Sequence, residues 1–93
     1  MVIGVRSWEL LLPGAQSLKD KRAVVSSLKD RLHNQFNVSA AETGHHDVWQ
    51  RAELTVCLVA TDRRHADSVL QSADRVVEAH PGLRILDTVS EYR

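Results

Sequence analysis

Glu53-Leu54-Thr55-Val56-Cys57-Leu58-Val59-Ala60 is the stretch that decides the fold. Leu54, Val56, Leu58 and Ala60 alternate with Glu53, Thr55, Cys57 and Val59, the two-residue period of a strand with one covered face. Directly after it the period changes. Thr61 or Asp62 can cap a helix, and Ala66, Val69, Leu70, Ala73, Val76 and Val77 recur at helical spacing until Pro81-Gly82. A strand that passes into a helix apolar on one side only predicts a sheet with helices against one face.

The rest of the chain extends this pattern in both directions. Val2 to Leu12 is rich in Val, Ile, Leu and Trp and ends at Pro13-Gly14, which reads as a strand and its turn. Ser17 opens a helix, with Asp20 at the third helical position partly reproducing a capping box. Leu18, Val25, Leu28, Leu32 and Phe36 form its apolar stripe, and Asn37 stops it. Val38 to Thr43 reads as a short second strand, Gly44 to Gln50 as a polar loop, and Leu83 to about Tyr92 as the last strand. The predicted order is β-α-β-β-α-β, a single α+β domain over residues 1–93. The arrangement that buries both helical stripes at once is the ferredoxin-like two-layer sandwich, an antiparallel sheet of order 4-1-3-2.

Composition narrows the function classes. The 93 residues suffice for one domain with a thin core. Twelve basic and twelve acidic residues cancel, which excludes a protein that grips nucleic acid through its whole surface; no DNA partner is expected. Charge is uneven locally, since Lys19 to Arg31 holds five basic residues (Lys19, Lys21, Arg22, Lys29 and Arg31) against Asp20 and Asp30. No apolar run approaches a membrane span, and Met1-Val2-Ile3-Gly4-Val5 lacks the pattern of a signal peptide. The lone Cys57 sits in an apolar run and reads as a small buried hydrophobe in a reducing compartment, so a cytoplasmic location is expected.

Three stretches, Ser17-Leu18-Lys19-Asp20-Lys21-Arg22, Phe36-Asn37-Val38-Ser39-Ala40-Ala41-Glu42 and Asp47-Val48-Trp49-Gln50-Arg51-Ala52, occur in that order, together with Arg31-Leu32 and Asp62-Arg63. In these the chain resembles the bacterial YlxP-like family, small domains of unknown function, over nearly its whole length. The resemblance implies a ferredoxin-like fold, often a dimer, and a gene setting beside translation initiation and ribosome-maturation factors. It brings no activity with it. The pair His45-His46 is not carried over.

The expected fold gathers Lys19, Lys21, Arg22, Glu42, Asp47, Trp49 and Arg51 on one rim, where the first helix begins beside the hairpin loop, with His80-Pro81-Gly82 nearby. Lys21 interrupts the apolar stripe, so it must snorkel or meet a carboxylate, Glu42 or Asp47. One reading is a structural ion pair closing the end of the core. The other is an anion site at the helix N-terminus, which Asp20 opposes with its own charge. Trp49, in a polar hairpin, either folds back over the core or offers a stacking platform or interface anchor. Trp8 reads as core or dimer contact. His45-His46-Asp47 lacks the spacing and third ligand of a metal site, and His33, His65 and His80 read as surface or stripe-edge residues. There is no nucleophile elbow, glycine-rich phosphate loop or H-E-x-x-H word. No catalytic residue, metal or cofactor is therefore expected.

Two functions fit. The first is an accessory binding protein of translation, touching RNA or a ribosome-associated protein through the basic first helix and the rim. The second is a homodimeric interaction module without a nucleic-acid role, its open sheet face (Ser7, Glu9, Thr55, Cys57 and Val59) covered by a second copy.

Overall fold

The computed structural model describes residues 1–93 and places six elements in the expected order: β1 (Val2–Leu11), α1 (Leu18–Gln35), β2 (Ser39–Gly44), β3 (Arg51–Ala60), α2 (Arg63–Ala79) and β4 (Arg84–Tyr92). The sheet order is β2-β3-β1-β4, which is 4-1-3-2 read from the other edge, and every neighbouring pair is antiparallel.

Local chemistry sets the boundaries. Ser17 caps α1, its Oγ accepting from the Asp20 amide at 3.1 Å, while the Asp20 carboxylate accepts from the Gln16 amide at 3.0 Å. The capping box thus closes one residue earlier than its standard form. Phe36 leaves the helix as its C-cap, in extended backbone, and still donates its amide to Leu32. Between Thr61 and Asp62 the structure chooses Asp62, whose carboxylate accepts from the His65 amide at 2.8 Å.

The even-numbered residues of β1 and β3 face the helices. Trp8, Leu10, Ala52, Leu54, Val56 and Leu58 meet Val25, Leu28 and Leu32 of α1 and Ala66, Leu70, Ala73 and Val77 of α2 in one core. Trp8 is fully buried, and its indole N–H donates to Asp74 of α2 at 2.8 Å. Asp74 also takes both nitrogens of Arg6, at 3.1 and 2.7 Å. This bidentate grip holds the guanidinium pKa above its ordinary value. α2 lies close on β1 at Gly4, where a Cβ would stand 3.2–3.3 Å from Leu58, Ala66 and Leu70. The far end of β4 is tied to α2 as well: Tyr92 donates its hydroxyl to Asp67, and Arg63 stacks 4.2 Å from its ring centroid. Neither helix is long and apolar enough to cross a membrane.

Two sequence expectations are corrected. Cys57 is an odd-numbered β3 residue, so it lies half-buried on the open face instead of in the core. His80 is buried, 6% exposed, because the chain turns out of α2 there and lays the imidazole against Arg31 of α1, 3.0 Å from Nδ1. Burial, and then the Arg31 cation, lower its pKa.

Candidate functional site: the hairpin rim

Lys21 is the centre of the rim. It falls on the buried side of α1 one turn before Val25, and its side chain is 1% exposed. Its ammonium sits 2.8 Å from Oε2 of Glu42 and donates to the backbone carbonyl of His45. Glu42 reaches it because it occupies the helix-facing side of β2, opposite Leu54. The pair closes the open end of the core, with the lysine stem packed as an apolar wall.

The loop carbonyl is available to Lys21 because His45 adopts a left-handed backbone, φ 60°. The strand register slips between Glu42 and Gly44 at the same place. The His45 side chain then passes to the other face of the sheet, where Nε2 meets Glu9 at 2.5 Å. Arg51 reaches the same Glu9 oxygen at 3.1 Å. One residue therefore joins two ion-pair clusters, with its carbonyl on the helix side and its imidazole on the open side.

The rim residues are thus only partly united. Lys21 and Glu42 form the helix-side cluster. Arg51 belongs to the open face with Glu9, separated from them by the sheet itself. Lys19 and Arg22 are exposed on α1 and form no ion pair, and Asp47 is exposed and does not bond to Lys21. Trp49 does not fold back over the core: it stands 51% exposed beside Val48, 45% exposed. Its loop is held by backbone contacts, so the core has no need of the indole as a lid. His80-Pro81-Gly82 is not part of the rim either; His80 meets Arg31, and Gly82 packs on Val24.

Sequence reasoning missed Glu9 and His45. A signal for the first exists. Strand pairing sets Glu9 directly opposite Glu53, and two like charges in that position demand cations nearby. Arg51, diagonal to Glu9, is one of them; Glu53 instead accepts from the Thr43 hydroxyl at 2.6 Å. Nothing local in the sequence announces the left-handed His45.

These features define an antiparallel ferredoxin-like sandwich whose conspicuous side-chain chemistry is ion pairing around a hairpin. The chain belongs to the family described as "Protein of unknown function (DUF503)", whose model matches residues 3–90. It is 33% identical over 91 residues to the "Uncharacterized protein YlxP" of Bacillus subtilis (strain 168), covering 98% of this chain and 99% of that one. Among solved structures, a de novo designed protein with ferredoxin fold matches with TM-score 0.51 and 16% identity, over 100% of this chain and 83% of that chain. A second, the de novo designed protein Foldit4, matches with TM-score 0.52 and 12% identity, over 100% and 94%. At such identities these two likenesses establish the fold alone.

Proposed function

We propose that the chain is a non-enzymatic interaction domain that works as a homodimer, assembled through the open face of its sheet. The carrying observation is the pair Val59 and Val89, 69% and 60% exposed, on β3 and β4 to either side of β1. Ile3, Val5 and Cys57 complete an apolar half-face between them. Size supports the reading. Strands about 4.8 Å apart and about 30 Å long give a face of about 600 Å² in projection. A standard interface takes about 800 Å² of accessible surface from each partner. Charge supports a second copy as the occupant. Glu9 is neutralised by His45 and Arg51, and Glu91 by Arg93 at 2.9 Å, so the face favours a partner without excess charge, as this chain is. Sedimentation velocity across the micromolar range tests this. A dimer that Val59→Glu converts to a monomer is expected; a monomeric wild-type chain at every concentration would reject it.

Contact with RNA or a ribosome-associated protein is the second reading, favoured by the unpaired cations Lys19 and Arg22 on the first turn and a half of α1. It is narrower than the sequence suggested. Lys21 is spent inside the rim, Arg31 at His80, and Arg51 at Glu9. Native-lysate pull-down with and without nuclease separates its two branches: RNA-bridged partners are lost, protein partners stay.

A further inference from the structure

The hairpin tip between β2 and β3 is pinned from every side. The Val48 amide donates to the His45 carbonyl at 3.0 Å, and His46 Nε2 lies 3.2 Å from the Glu42 carbonyl. The Leu12 amide donates to the Gln50 carbonyl at 2.9 Å, and the Gln50 side-chain amide reaches the carbonyls of Pro13 and Ala15 at 3.4 and 3.3 Å. Lys21 and Glu9 hold His45 from opposite sides of the sheet. A loop fastened in this way could carry its apolar side chains inward, as β1 carries Trp8. Instead it presents its two largest, Val48 and Trp49, to solvent, around a shallow concavity of about 340 Å³ lined by Asp47, Val48, Trp49 and Gln50. A rigid, outward tryptophan has already met the ordering cost that a flexible loop would meet on binding.

We propose that Val48 and Trp49 form a preorganised anchor for a protein partner: an acidic segment whose apolar residue seats against the indole, with its carboxylates met by Lys19 and Arg22. The charge pattern selects this occupant. Lys19 and Arg22 are the unpaired cations at this end of α1, and both are exposed. Two cations fall short of the several phosphate contacts that support nucleic-acid binding. The tip also carries an unpaired carboxylate, Asp47, and no second aromatic on which a neighbouring base could stack. A second copy of the chain does not fit as occupant. Its concavity of about 240 Å³, lined by Asn37, Val38, Ser39, Cys57, Leu58 and Val59, has no carboxylate to meet the cations. The tip lies at the opposite end of the sheet from Val59, so anchoring and self-association are independent.

The test is selection of twelve-residue peptides from a random display library by the immobilised full chain, followed by calorimetry with the synthetic winners and with a twelve-nucleotide oligouridylate. Winning peptides should combine an aromatic or aliphatic residue with Asp or Glu. Trp49→Ala should weaken them by about tenfold or more while Trp49→Phe retains most of the affinity. Lys19→Gln with Arg22→Gln should weaken them several-fold and flatten the salt dependence. Val59→Glu should leave them unchanged. Thermal melting of each variant confirms folding, which the exposed positions predict. Three results would overturn the proposal: no peptide enriched over the blank support, winners indifferent to Trp49→Ala, or Trp49-dependent binding of oligouridylate alone.

Discussion

Replacing Lys21 by methionine keeps the apolar stem in the core and deletes the ammonium. Glu42 is then left with a carboxylate oxygen that has no other hydrogen-bond partner, and the His45 carbonyl loses its donor. Breaking a fully buried ion pair costs about 3–5 kcal/mol. The Glu42 side chain retains 19% exposure, so water recovers part of that, and about 2–3 kcal/mol is the expected loss. In a domain this small each kcal/mol moves the melting temperature by about 4–8 °C, so Lys21→Met should melt about 10–20 °C early. Adding Glu42→Gln removes the stranded charge and should restore more than half of the difference, because an absent pair costs far less than a broken one. Circular-dichroism melts of the wild type, both single variants and the double variant complete the cycle. If Lys21→Met melts within about 3 °C of wild type, or Glu42→Gln gives no rescue, the pair does not close the core and this reasoning fails.

His80 makes stability pH-dependent. Its folded pKa is lowered, so between that value and the ordinary 6.5 the unfolded chain binds the extra proton, and stability falls as pH drops below about 6.5. His80→Asn should flatten the melting temperature between neutrality and mild acid; an unchanged slope would assign the effect elsewhere. Asp74→Asn weakens the acceptor shared by Trp8 and Arg6 and should cost about 1–3 kcal/mol in urea unfolding, against no change if the contacts are incidental. Glu9→Gln should loosen the His45 side chain and speed amide exchange at Val48, whose amide bonds to the His45 carbonyl; protection equal to wild type would show that the loop holds without Glu9.

The element order was legible because period carries it: Leu54 to Ala60 can satisfy its alternation only as a strand, and the α2 stripe only as a helix. Lys21 was legible as an anomaly, a charge at a stripe position, and its two possible partners were named before Glu42 proved to be the one. The remainder of the rim depended on distances that sequence spacing does not encode. Which side of the sheet Arg51 takes follows from strict alternation with Ala52, and that parity was not applied to Arg51 or to Cys57. His45 depends on a single backbone angle and a register slip. Trp49 was weighed by what tryptophans in polar hairpins usually do, whereas here hydrogen bonds from Leu12 and Gln50 fix the loop without it.

The placement of the two tryptophans gives the molecule an optical division of labour. Trp8 is sealed from water with its indole N–H on a carboxylate, and Trp49 stands half in solvent. An aqueous quencher such as iodide reaches the second chromophore and not the first. Emission from the native chain is therefore a sum of a shielded, blue component and an accessible, red one. Loss of the shielded component reports dissolution of the core, while a blue shift confined to the accessible one reports occupation of the hairpin tip. Unfolding and docking can thus be followed in one cuvette, without a label.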